Sequence, residues 1–196
     1  MDAKEGARAL EIARSAIELR VKKGKRLEPK DITCLPKSFS EKSGVFVTLF
    51  THPDMELRGC IGYPEPVKPL IEALIDSAIN AATQDPRFPA VQANELDRIV
   101  IHVSILTRPE PVEVEKPEEY PKKIELGRDG LIVELGYNRG LLLPDVATEH
   151  NMNKQEFLSH TCMKAGLAPD AWQSEQGLRV FKFRSQVFRE KGPGKT

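Results

Sequence analysis

The sequence has no excess of either charge: 29 Lys and Arg stand against 29 Asp and Glu in 196 residues. A protein that binds nucleic acid by electrostatics carries a basic surplus, so zero net charge disfavours that class of partner. Cysteine is scarce and odd in number, at Cys34, Cys60 and Cys162, with no CxxC pair. That pattern excludes a disulfide framework and a zinc knuckle. The four histidines, His52, His102, His150 and His160, form no HExxH and no paired ligand spacing, so no metal is expected. Phosphate-cradling loops of the GxGxxG or GxxxxGKS type are missing, and so is a GxSxG elbow, so no nucleotide cofactor is expected. No run approaches the ~18 apolar residues of a membrane helix. The start, Met1-Asp2-Ala3-Lys4-Glu5, mixes acid and base and does not read as a signal peptide. Glutamine and asparagine are few, at six and five, while 30% of residues are charged. This tilt is compatible with a thermophilic source.

What is present reads as a soluble globular chain of the reducing cytoplasm. Hydrophobic residues make up 40%, and at this length roughly 70% of the unfolded surface can be buried. One domain over 1–196, with or without a subdomain, is expected. From about Lys4 to Val21, Ala9, Leu10, Ile12, Ala13, Ala16 and Ile17 recur at helical spacing, and Gly24 can close the helix. The turn Lys22–Arg26 is the one dense basic cluster, read as cations at a helix end. Residues 44–50 and 56–62 read as strands joined through Pro53-Asp54. A helix from about Pro69 to Thr83 follows, with Pro69 at its first position, and Asp85-Pro86 ends it. Arg98–Thr107 is apolar on both faces and reads as a central strand. Strand, helix and strand over 57–107 have the length of a crossover unit. Later come an acidic connector, Pro109 to Lys123, holding at most an edge strand, and a hairpin over 130–143 with Asn138 and Gly140 able to take positive φ. A helix capped by Asn153 and Glu156 and a strand at 180–183 follow, and 190–196 read as a frayed tail.

Two segments could carry chemistry. In Leu57-Arg58-Gly59-Cys60-Ile61-Gly62, strand alternation puts Arg58 and Cys60 on one face, about 6.6 Å apart. A guanidinium at that reach favours thiolate over thiol. Gly59 and Gly62 leave room for a ligand or another backbone beside the thiol. The same pattern also fits a small buried cysteine and a structural arginine. The second segment, Asp85-Pro86-Arg87-Phe88-Pro89, is a stiff polar loop that suits a binding site or a helix-ending turn. His102 and Ser104 share a strand face and could approach Cys60, and a Cys–His pair is a nucleophile arrangement.

Leu57–Gly62 resembles the six-residue signature of the AMMECR family. Asp85–Pro89, Glu95-Leu96, Val103–Leu106, Leu142–Ala147, Phe157-Leu158 and Cys162–Leu167 with Trp172 are similar to it too, over essentially the whole chain. The resemblance implies a stand-alone prokaryotic or archaeal member. Together with the element reading it implies an α+β fold, a mixed β-sheet flanked by helices, with two unequal subdomains in one compact unit. The family carries no settled biochemical activity. A role in basic cellular machinery is suggested for it, and similar domains occur beside a Memo-type protein and a radical SAM protein. The resemblance adds weight to Arg58, Cys60, Asp85 and Arg87 as a site. Two functions are expected to compete. In one, an enzyme uses Cys60 as nucleophile or anchor, with Arg58, Gly59, Gly62, Asp85, Arg87, His102 and Ser104 binding a small molecule. In the other, a regulatory domain binds a protein or peptide without catalysis.

Overall fold

Helix α1 (Ala3–Lys23) starts where Asp2 and Glu5 cap each other reciprocally: the Asp2 carboxylate accepts from the Glu5 N–H and the Glu5 carboxylate from the Asp2 N–H. It stops at Gly24, whose φ of 66° suits glycine and whose N–H donates to the Arg20 carbonyl. Two of the four cations in the basic turn Lys22–Arg26 are paired. Arg26 bridges Asp76 and Glu28, and Lys22 meets Glu18. These are the structural cations of a helix end.

The computed structural model describes residues 1–195, and Met1–Leu106 with the chain from Gln186 on make one compact unit. In it, β1 (Val45–Thr51) and β2 (Glu56–Tyr63) form the expected hairpin, antiparallel with a register shift between Leu49 and Phe50. Helix α2 (Leu70–Thr83) follows, with Pro69 one residue outside it as the cap. Strand β3 (Ile99–Leu106) pairs antiparallel with the other side of β1. The order is β2-β1-β3. Strands β2 and β3 therefore run the same way, but β1 lies between them, so the crossover is a split one. The expected mixed sheet gives way to antiparallel pairing: every pairing described within either unit is antiparallel.

Alternation on these strands decides which face is covered. Val45, Val47 and Leu49 of β1 and Ile101 and Val103 of β3 are fully buried with Leu74, Ile75 and Ala78 of α2 and Ala13 and Ile17 of α1. The opposite face, with Phe46, Thr48 and Phe50 beside His102 and Ser104, is half-buried. The segment expected to fray opens on Glu190, which is 5% exposed. Its carboxylate accepts from Arg14 Nε (3.0 Å) and the Ile101 N–H (2.8 Å), and its own N–H donates to the Ile101 carbonyl. Residues 191–195 close a short turn through Lys191 and Lys195, and Thr196 lies outside the described residues.

Thr107–Ser185 form the smaller unit. The acidic connector holds a two-residue strand, β4 (Glu110–Pro111), and a one-turn helix, α3 (Tyr120–Lys123). Strands β5 (Asp129–Leu135) and β6 (Asn138–Leu142) make the expected hairpin, but the turn is Gly136-Tyr137, with the positive φ at Gly136. Gly140 is needed for another reason: a Cβ there would lie 2.3 Å from the Ala165 nitrogen. Helices α4 (Pro144–Glu149), α5 (Lys154–Lys164) and α6 (Ala171–Ser174) follow, α5 with the expected Asn153–Glu156 cap. Strand β7 (Arg179–Arg189) pairs with β4 and β5 up to Arg184. Phe157, Leu158, Leu131, Val133 and Trp172 fill this core.

Candidate functional site

The bulge in the β1–β2 hairpin sets the geometry around Cys60. Leu49 pairs with Gly59 and Phe50 with Leu57, so Arg58 has no partner on β1. An extra residue on one strand interrupts alternation. Cys60 consequently lies opposite Thr48, on the half-buried face, and its Sγ is 3.1 Å from Thr48 Oγ1. Thr48 in turn lies opposite His102 of β3. Cys60, Thr48 and His102 thus form a row across three strands. Two interstrand spacings, roughly 9.6 Å, separate Cys60 from His102. A Cys–His pair needs hydrogen-bond reach, so these two residues do not make one directly; the threonine stands between them.

Arg58 turns away from this row. Its Nε and Nη2 meet the two oxygens of Glu95 at 2.9 and 3.2 Å, and its Nη1 donates to the Pro89 carbonyl. A bidentate carboxylate pair is the arrangement arginine suits best. Its side chain is 12% exposed. Burial works against the Glu95 charge, but Arg58 and the Gln92 N–H outweigh it and hold that carboxyl below its ordinary range. Arg58 therefore fastens the loop after α2 to β2.

Asp85 and Arg87 grip the same strand from its free edge. The Asp85 carboxylate accepts the Cys60 N–H at 2.8 Å and the Arg87 guanidinium at 2.8 and 3.0 Å. Arg87 Nη2 also reaches the Cys60 carbonyl at 3.4 Å. The Cys60 backbone groups point outward, so Cys60–Thr48 is a non-hydrogen-bonded pair, the type in which side chains approach closest. The Asp85 side chain is 2% exposed and Arg87 is 55% exposed. The Arg87 guanidinium, with help from the Cys60 and Arg87 N–H groups, holds the Asp85 carboxyl well below the usual carboxylate range. The pair does at Cys60 what a neighbouring strand would do.

The space beside both glycines is filled from within. A Cβ on Gly59 would lie 2.2 Å from the Ala81 carbonyl oxygen of α2, and one on Gly62 would lie 2.3 Å from the Val45 oxygen. His102 packs its ring against Phe50, centroids 4.6 Å apart. Ser104 lies opposite Phe46 on the same face. Burial and the charge of Arg189 both push the His102 pKa down. The imidazole is therefore neutral at pH 7, and its protonation is expected to cost stability only as pH falls below about 6.5, the unfolded value. Proton–carbon NMR of the ring checks this. A midpoint at or above 6.5 would mean the face is wetter than the structure shows.

Thr48 and the Glu95 partnership of Arg58 are what residue-by-residue reading misses. Hairpin register counted outward from Pro53-Asp54 does not find Thr48 either, because only the bulge at Arg58 brings it opposite Cys60. Among the described residues, no three His, Cys, Asp or Glu side chains come together to hold a metal ion. Among the described residues, no helix is long and apolar enough to cross a membrane.

An α+β chain with antiparallel sheets, one edge strand of which is gripped at a cysteine by an aspartate–arginine pair, defines the structural class. The AMMECR1 family profile matches residues 10–188, and the chain belongs to the AMMECR1 family. It is 52% identical to Protein MJ0810 of Methanocaldococcus jannaschii, covering 96% of this chain and 92% of that one. It is 55% identical to a protein of Methanothermobacter thermautotrophicus, covering 96% and 95%. The crystal structure of an uncharacterized protein from Pyrococcus horikoshii matches with a TM-score of 0.86 at 47% identity, over 100% of this chain and 96% of that one. None of these names carries an activity.

Proposed function

We propose that this chain is a non-catalytic binding domain that engages a protein or peptide partner through the unit built on β2. One observation carries the reading: the charged groups around Cys60 already satisfy one another. Arg58 is held by Glu95 and the Pro89 carbonyl, and Asp85 by Arg87 and the Cys60 N–H. Arg58 is therefore not left to bind an anion or to stabilise a thiolate. Gly59 and Gly62 serve packing, and His102 and Ser104 belong to a half-buried face. The enzyme reading keeps a single support, the half-buried Cys60 thiol with a hydroxyl beside it. Three free thiols suit a reducing cytoplasm, and the balanced charge disfavours nucleic acid. A place in basic cellular machinery, or in a pathway shared with Memo-type and radical SAM proteins, fits such a domain.

Capture from the source lysate on the immobilised full chain tests this. Cys60→Ser is expected to retain the same partners as the parent chain, because the serine keeps a small polar side chain beside Thr48. Arg58→Ala is expected to lose them, because it unfastens the 86–95 loop. A covalent adduct on Cys60 after incubation with the metabolite pool, read by intact mass, would overturn the reading in favour of an enzyme.

A further inference from the structure

We infer that the groove between the free edge of β2 and the C-terminal half of α2 binds an extended, acidic peptide segment by strand addition; this deepens the binding-domain reading and rests on it. Strand β2 is the outermost strand of its sheet. The outward groups of Cys60 are taken by Asp85 and Arg87. No register shift separates Cys60 from Gly62. Alternation therefore turns the Gly62 N–H and C=O outward as well, and among the described residues no partner takes them. An exposed pair of backbone groups on an edge strand is a template for another chain.

Beside this edge lies an open depression of about 500 Å³, within the range of ligand sites. Ile61 of β2, Ile79, Asn80, Thr83 and Gln84 of α2 and Arg20 of α1 line it. Ile61 and Ile79 supply apolar contact. Thr83 Oγ1 is already used on the Ile79 carbonyl. The carboxamides of Asn80 and Gln84 have no hydrogen bond among the described residues. They stand four apart on one helix face, about 6 Å. In an extended chain, backbone amides on one side repeat every two residues, at about 6.6 Å. Two free carboxamides at that separation match a peptide backbone and mismatch a compact ligand.

Charge chooses the peptide. Arg20 uses Nη1 on the Gly24 carbonyl and keeps Nε and Nη2. No acid lines the depression, and the half-exposed Arg87 stands at Cys60, the neighbour of Ile61. An acidic side chain in the bound segment would meet Arg20, with Arg87 adding attraction. A basic or neutral segment would gain nothing there.

Panning a random dodecapeptide library on the full chain, followed by anisotropy with fluorescein-labelled winners, tests the inference. Winners are expected to alternate apolar residues with at least one acid. Arg20→Gln, and separately the double variant Asn80→Ala with Gln84→Ala, are expected to weaken them at least tenfold. N-methylation of alternate backbone amides is expected to abolish binding. Arg26→Gln, outside the groove, is expected to leave affinity unchanged. Failure to select any peptide overturns the inference. So do winners indifferent to Arg20, Asn80 and Gln84; if those instead weaken on Thr48→Ala, the groove is wrong while the binding-domain reading stands. A Cys60 adduct without any captured partner removes the reading itself.

Discussion

Glu190→Ala is expected to lower folding stability by about 3–5 kcal/mol, the cost of breaking a buried ion pair from one side. The reason is what remains behind. Arg14 is 12% exposed, and without Glu190 its guanidinium keeps only the Leu96 and Ile99 carbonyls. The Ile101 N–H loses its carboxylate acceptor as well. In a chain of this length that loss corresponds to a Tm lower by roughly 10 °C. Glu190→Gln is expected to lose less, since its amide oxygen can still accept. Adding Arg14→Ala to Glu190→Ala is expected to cost less than the sum of the two, because the unpaired charge is then gone. Calorimetric melts of the parent, Glu190→Ala, Glu190→Gln, Arg14→Ala and the double variant check the set. A Glu190→Ala loss under 1 kcal/mol would show that the carboxylate is solvated.

Gly59→Val is expected to cost about 3 kcal/mol or more, the upper end of overpacking penalties. Overpacking is tolerable when the neighbour is the end of a flexible side chain. Here it is the Ala81 carbonyl of α2, 2.2 Å from where the first added carbon would sit. A carbonyl in the last turn of a helix packed on β2 cannot step aside without moving the backbone, so β2 and α2 must separate and uncover Leu49, Leu74 and Ile75. Gly24→Ala makes the contrast. Nothing lies within 4 Å of its Cβ position, and its φ of 66° costs an alanine only about 1 kcal/mol. Urea midpoints distinguish the two, and equal losses would mean the helix yields easily.

Much of the framework could be read from residues because local physics decides it. Gly24 ends α1, Asn153 and Glu156 cap α5, and the β-branched run at 45–50 makes a strand whatever else happens. The site was less legible because one extra residue governs it. Counting outward from Pro53-Asp54 with strict alternation sets Cys60 opposite Val47, on the covered face. The bulge at Arg58 moves it opposite Thr48 and onto the half-buried face. A shift by one residue reverses every side chain beyond it, and nothing in the spacing of Leu57–Gly62 announces it. The alternation that put Arg58 and Cys60 together fails at the same place. The turn of the second hairpin was misplaced for a related reason: Asn138 and Gly140 have the composition of a turn, but packing against α5 claims Gly140. Glu190 was invisible among the charged and glycine residues of the C-terminus, because its partners Arg14 and Ile101 are distant in sequence.

The larger unit is assembled from two stretches of chain, and they do not leave the ribosome together. Arg14 emerges early, and Glu190 follows Leu106 by roughly 80 residues. At 5–20 residues per second that is a delay on the order of 10 s. During it, the hairpin, β3 and the two helices can associate, but the Arg14 side chain has no counter-ion and the Ile101 N–H no acceptor. The newborn unit is thus held below its final stability until Glu190 emerges, when a single carboxylate locks it.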